Sequence, residues 1–273
     1  MKTVNAFVSH PFLPNEAVVT ARNICVGFND KAILDGLDLD IYRGEILGFI
    51  GPSGAGKSVL MRTILGLNQK QGGVIKVFGQ DLDKISLQRR NVIDMRVGVL
   101  FQRGALFSSL TVLENIQVMM REYLDLSPKL LEELAYLKLA LVGLASDSAL
   151  KRPAELSGGM VKRAALARAL ALDPAIVFLD EPTSGLDPVG AAEFDALIKD
   201  LRDTLGLTVY MVTHDLGSIC SVCDRIAILG DKRVKYQGTL GTILQIEDPW
   251  IQSYFKRAKL GSEARNIQSS SPE

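Results

Sequence analysis

Gly51-Pro52-Ser53-Gly54-Ala55-Gly56-Lys57-Ser58 satisfies the pattern G-x-x-x-x-G-K-[ST] in full, and its flanks supply the context that the pattern needs. Before it runs Ile46-Leu47-Gly48-Phe49-Ile50, an apolar run of the length of a buried parallel strand. After it Val59, Leu60, Ile64 and Leu67 recur at helical spacing. With strand, loop and helix in that order, the glycines let the backbone fold into a concave nest. Its N–H groups and the positive end of the helix then face phosphate oxygens. Lys57 reaches toward β- and γ-phosphates, and the Ser58 hydroxyl toward Mg²⁺. An incidental glycine-rich turn carries no such flanks.

On the N-terminal side, Ile24, Val26 and Phe28 alternate with polar neighbours, as do Leu37, Leu39 and Ile41 around Asp38 and Asp40. Such alternation predicts half-buried antiparallel strands. Phe28 closes the first strand; a core position is ordinary for such a ring, although it can also face a flat aromatic ligand. On the C-terminal side, Gly72-Gly73 and Gly79 punctuate another strand pair, and Arg96 to Gln102 reads as a strand ending on an amide that can reach a metal ion or water. From Thr111 to about Leu150 the period turns helical, with a break at Ser127-Pro128, which predicts a helical insertion. Its Met119-Met120 pair and its stripe of Leu130, Leu131, Leu134, Leu137 and Leu141 read as core.

Leu156-Ser157-Gly158-Gly159-Met160 opens a further helical run that ends at Asp173-Pro174. Ser157 suits an N-cap, and the two glycines leave the first backbone amides uncovered, so this helix start suits an anion as well as an ordinary cap. Lys162, Arg163 and Arg168 read as the solvated face of that helix. The buried-strand run Ala175 to Leu179 ends abruptly in Asp180-Glu181, two carboxylates that are costly there unless they have a task. Beside a nucleotide one can hold Mg²⁺ and the other can orient water. A turn-rich loop with Ser184-Gly185-Leu186-Asp187 follows. Thr208 to Val212 is a further strand, and Thr213-His214-Asp215 stands at its exit, the edge where α/β sheets bind ligands.

The 273 residues are enough for one large α/β domain or two modest ones, and Lys plus Arg equals Asp plus Glu at 31 each. That balance gives no general basic field, so nucleic acid is not an expected partner. No apolar run approaches the roughly 20 residues needed to cross a bilayer, and Met1 to Pro14 has no apolar stretch of signal-peptide length, which predicts a cytoplasmic chain. Of the three cysteines, Cys220 and Cys223 form a C-x-x-C pair without a second pair to complete a zinc site. At i and i+3 they read as buried thiols on one apolar helix face.

The order of these elements (phosphate loop, Gln102, Leu156-Ser157-Gly158-Gly159, Asp180-Glu181, Ser184-Gly185-Leu186-Asp187, His214) resembles the ATP-binding cassette (ABC) ATPases over roughly residues 18–240. The resemblance implies a RecA-like P-loop α/β core with an antiparallel β subdomain and an inserted α-helical subdomain. It divides the chain into an extension over 1–14, an ATPase domain over 15–240 with the helical insertion at about 103–172, and a C-terminal extension over 241–273 ending in a disordered tail. It implies ATP and Mg²⁺ as cofactors. Phe28 would stack on adenine, and Gly51, Pro52, Ser53, Gly54, Ala55, Gly56, Lys57 and Ser58 would hold the phosphates. Ser58, Gln102 and Asp180 would serve Mg²⁺, with Gln102 also meeting the attacking water. Glu181 would be the general base, and His214 would contact the γ-phosphate. Ser157, Gly158, Gly159 and Asp187 would act on ATP held by a second copy, which implies a homodimer.

Met160, where glutamine is usual in the family, together with Leu100 to Phe107 and Asp248-Pro249-Trp250, resembles a narrower group: the Mla-type ATPases of MCE phospholipid transport systems. That resemblance implies a peripheral subunit at the cytoplasmic face of the inner membrane. Its partners would be an integral membrane permease, an MCE-domain protein and a small accessory subunit. The alternatives are the ATPase of an amino-acid-type importer and a soluble ABC ATPase, although the second cassette or long coiled-coil insertion of the soluble kind does not occur here.

Overall fold

The computed structural model describes residues 16–29 and 31–256, so the expectations for the 1–14 extension and for the tail from Gly261 lie outside the described residues. A six-stranded sheet carries the molecule. In spatial order it runs Arg233–Gly238 (β10), Arg225–Gly230 (β9), Ile46–Ile50 (β3), Thr208–Val212 (β8), Ile176–Asp180 (β7) and Val97–Leu100 (β6). All its pairs are parallel except β10 with β9. Every residue of β3, β7 and β8 is buried, the continuous apolar pattern expected of strands covered on both faces. Phe49 pairs with Val212 and Val212 with Asp180, so β3, β8 and β7 finish level with one another. The phosphate loop, Glu181 and His214 therefore leave the sheet along one edge.

A second, antiparallel sheet, in the order β2-β1-β4-β5, is built from Ala17–Phe28 (β1), Lys31–Tyr42 (β2), Gly72–Val77 (β4) and Gln80–Asp81 (β5). With Lys57–Ile64 (α1) it covers one face of the main sheet, where Phe49, Tyr210 and Phe178 stand in a row with ring centroids 5.6 and 5.4 Å apart. Strand alternation sends Ile46, Val177, Leu179, Val209 and Met211 to the opposite face. There they meet Val112–Tyr123 (α3), Pro128–Leu141 (α4), Gly158–Ala169 (α5) and Pro188–Leu205 (α6). Each leucine so buried contributes about 1.5–3 kcal/mol. The remaining helices are Leu87–Asp94 (α2), Leu216–Val222 (α7) and Leu240–Leu244 (α8). A helical segment over 249–256 packs Ile251 and Phe255 against Ile50, Ile226 and Ile228. Among the described residues no helix is long and apolar enough to cross a membrane.

Local chemistry sets the helix starts. Thr111 and Glu114 form a reciprocal capping box on α3, and Ser127 caps α4 with Pro128 in its first turn. Such caps are worth about 1 kcal/mol each.

The leucine stripe of α4 is not wholly core. Leu131 is buried, but Leu130 and Leu137 are 41% and 58% exposed. The buried arc is instead Leu131, Ala135, Lys138 and Leu139, at i, i+4, i+7 and i+8. Lys138 lies in that arc because its amine pairs with Asp173 at 2.5 Å. The cysteine expectation also needs correcting. Cys220 is exposed, α7 ends at Val222, and only Cys223 packs inward, where burial raises its thiol pKa.

Candidate active site

The phosphate loop needs its glycines for two different reasons. Gly56 has φ +109°, in the left-handed region, and a Cβ there would lie 2.7 Å from the Ile33 side chain; Gly51 presses against the Leu229 carbonyl, 2.6 Å from where its Cβ would be. Lys57 opens α1 and folds back so that its amine donates to the carbonyls of Gly51 at 2.9 Å and Pro52 at 3.0 Å. Burial lowers the pKa of this amine, while the nearby Glu181 and Asp180 act to raise it.

One residue on, the Ser58 hydroxyl donates to Asp180 Oδ1 at 2.9 Å, tying the start of α1 to the end of β7. Asp180 is only 4% exposed. A hydroxyl and a buried carboxylate in contact are the kind of hard oxygen donors that Mg²⁺ takes, with substrate phosphates and water completing its shell. The residues present fit that ion.

Glu181 follows with φ +49°, a conformation that costs a non-glycine residue about 1–2 kcal/mol. Three contacts hold it there. Its N–H donates to the Val212 carbonyl at 2.8 Å, its carbonyl accepts from the Lys162 amine at 3.0 Å, and its carboxylate lies 2.6 Å from His214 Nδ1. His214 is fixed from behind, because the Tyr254 hydroxyl donates to its backbone carbonyl at 3.1 Å. Burial, and after it the charges of Glu181 and Asp215, raises the Tyr254 pKa, so this hydroxyl keeps its proton. Asp215 caps α7 by accepting from the N–H groups of Gly217 and Ser218.

Lys162 and Arg168 correct the expectation of a solvated basic face on α5. Lys162 is only 5% exposed and also donates to the Gln102 carbonyl at 2.5 Å. Arg168 donates to the carbonyls of Ala105 at 2.6 Å and Gly104 at 2.9 Å, and Arg163 to that of Val142 at 2.9 Å. Sequence reasoning missed Lys162 as part of the site. The available signal was its register, because Lys162 precedes the buried Ala165 and Leu166 by three and four residues.

The chain therefore brings together the loop, Asp180, Glu181, His214 and the backbone of Gln102, whose side chain is exposed. Phe28 stands apart at the end of β1, 48% exposed and not part of the core. Ser157 caps α5 by accepting from Met160 N–H at 3.3 Å, and a Cβ on Gly158 would meet none of the described residues within 4 Å. Asp187 caps α6, accepting from Gly190 N–H at 2.7 Å. What results is a cradle for phosphate, a pair of oxygen donors for a hard cation and a carboxylate steered by an imidazole.

That combination defines a phosphate-loop nucleotide hydrolase. The family model described as "ABC transporter" matches residues 34–184, and the chain belongs to that family. It is the ATP-binding, ATP-hydrolysing subunit of an ABC transporter. It is 37% identical over 89% of its length, and 91% of the relative's, to the "Intermembrane phospholipid transport system ATP-binding protein MlaF" of Haemophilus influenzae. It is 35% identical over 91% of its length, and 72% of the relative's, to the "Probable ribonucleotide transport ATP-binding protein mkl" of Mycobacterium leprae. Among solved structures, the dimeric cassette MJ0796 in a post-hydrolysis state bound to ADP and Pi aligns with a TM-score of 0.74 and 29% identity, covering 81% of this chain and 98% of that one.

Proposed function

We propose that this subunit powers phospholipid transport between membranes. Two copies would close on two ATP molecules while seated on a separate permease at the cytoplasmic face of the inner membrane, with an MCE-domain protein and a small accessory subunit as further partners. The observation that carries the lipid assignment is the relationship, at 36–37% identity over nearly nine-tenths of the chain, to proteins named for intermembrane phospholipid transport in Haemophilus influenzae and Escherichia coli. The mycobacterial relatives support a second reading, transport of a soluble solute such as a ribonucleotide. Purifying the intact membrane complex and identifying its proteins and bound small molecules by mass spectrometry separates the two. Copurified phospholipid and an MCE protein support the first; a soluble-solute receptor without lipid overturns it.

In this reading Lys57 and the loop amides hold the phosphates, and Ser58 and Asp180 would hold Mg²⁺, whose charge would offset that of the phosphates. Gln102 would serve the same ion and the attacking water, Glu181 would take the proton from that water, His214 would contact the γ-phosphate, and Phe28 would offer its exposed ring to adenine. The pairing rests on Gly158 and Gly159, since among the described residues nothing requires the missing Cβ: Gly158 faces open space and Gly159 comes no nearer than 3.9 Å to Leu186. An uncovered helix start of this kind suits the phosphates of a nucleotide bound to a second copy, aided by Asp187. For the permease, a groove of about 320 Å³ between β6 and α5, lined by Val99, Phe101, Phe107 and Met119, suits a short apolar helix.

A further inference from the structure

Lys162 belongs to α5, the helix that starts at Ser157. Its ammonium is buried and bonded to two carbonyls that have no other reason to share a donor: Gln102, just past β6, and Glu181, just past β7. Arg168, further along the same helix, grips Gly104 and Ala105. α5 thus holds the backbone on both sides of its own catalytic cluster, and does so by charge-assisted bonds, which are roughly twice as strong as neutral ones. Glu181 needs such holding, because its left-handed backbone is strained and its carboxylate must be placed to better than about 1 Å; a misplacement of that size costs about 10²-fold in rate.

Resting on the pairing proposed above, one rigid helix then serves both nucleotides of the dimer. Its first turn, Ser157 to Gly159, meets the nucleotide on the second copy. Five residues and about 7.5 Å along the axis, Lys162 holds Gln102 and Glu181 of the first. We infer that Lys162 is a positioning residue that couples the two sites: docking of the Ser157 turn on one ATP sets, through α5 and Lys162, the placement of Glu181 and Gln102 at the other.

The test uses the full-length chain and three variants. Lys162→Met removes the donor while keeping the length of the side chain, and Lys162→Arg keeps a donor. The double variant of Lys162→Met with Glu181→Gln reads pairing without turnover, with the Glu181→Gln single variant as reference. In the parent chain, hydrolysis is expected to be cooperative in ATP, with a Hill coefficient above 1. Lys162→Met lowers maximal turnover by about 10- to 100-fold, leaves half-saturation by ATP within about two-fold, and brings the Hill coefficient to 1. Lys162→Arg restores both turnover and cooperativity. In the Glu181→Gln background, the lysine and methionine forms pair at the same ATP concentration in light scattering. Unchanged turnover and Hill coefficient in Lys162→Met would overturn the inference. So would a loss of pairing and melting temperature alongside turnover, which would make Lys162 a structural strut. If the Glu181→Gln protein with Lys162 intact does not pair, the dimer reading itself fails, and the two failures are thereby told apart.

Discussion

The two stretches that the proposed function assigns to phosphate are built in opposite ways. Around Gly51 to Ser58 three side chains are already engaged within the chain: Lys57 on its own loop, Ser58 on Asp180, and Glu181 on His214. Around Ser157 to Gly159 the cap to Met160 is local, and among the described residues a Cβ would meet nothing within 4 Å at Gly158 and only Leu186, at 3.9 Å, at Gly159. One region is bonded within itself, the finished half-site of the proposed pair, and the other is left open. Under the pairing proposed above, such a division would give a monomer that holds nucleotide but lacks part of the machinery, and closure of the pair would be the step at which hydrolysis is permitted.

The comparison breaks most severely at the finished half. Glu181→Gln removes the proton acceptor while keeping the backbone and the histidine contact, so turnover falls by about 10²–10⁴-fold, while ATP binding and ATP-dependent pairing persist. Equilibrium nucleotide binding alongside steady-state hydrolysis checks it. Unchanged hydrolysis would remove Glu181 from the base role. At the other half, Ser157→Arg places bulk on the outward turn. The single chain should bind ATP as before, but turnover should drop by about 10²-fold, because the altered turn can no longer close on the nucleotide of the second copy. Full activity would mean that the turn faces nothing.

Smaller effects sharpen the boundary between the halves. Tyr254→Phe deletes one hydrogen bond to the His214 backbone, worth about 1 kcal/mol, so turnover should fall only several-fold with ATP binding intact. The smallest effect lies behind both halves, in a cavity of about 480 Å³ between α6 and α7 lined by Leu186, Asp195, Lys199, Asp215 and Ser218. Burial, with the charge of Asp215 adding and a hydrogen bond from Ser218 opposing, raises the Asp195 pKa to about 6. The folded chain therefore keeps this proton over a range, from about 4 to about 6, in which the unfolded chain has lost it. Stability falls as pH rises through that window, and above it the buried carboxylate is a net cost. Asp195→Asn should stabilise the protein by about 1 kcal/mol at pH 7.5 and by much less at pH 4.5, read as melting temperatures at the two values. An equal shift at both would contradict the assignment.

The finished half-site was legible because its signals are local. The loop pattern, the strand runs ending in Asp180-Glu181 and in Thr213-His214, and the change of period at Thr111 each sit within about ten residues of sequence. What was not legible depends on where distant backbone ends up. Lys162 bonds carbonyls 60 and 19 residues away, so in a run of basic residues it reads as solvated although it is buried. Tyr254 reaches His214 across 40 residues with no pattern to mark it. On α4, leucines occupy more than one face, so periodicity alone did not choose the arc of Leu131, Ala135 and Leu139 over Leu130 and Leu137.

The most direct measurement mixes two inactive proteins, Lys57→Ala and Ser157→Arg, in equal amounts and follows ATP hydrolysis. A mixed pair then contains one whole site, with the loop of the second variant facing the Ser157 turn of the first, so the mixture should hydrolyse ATP well above the sum of its separate components. If its rate only equals that sum while light scattering shows that mixed pairs form, each chain works by itself and the shared site does not exist.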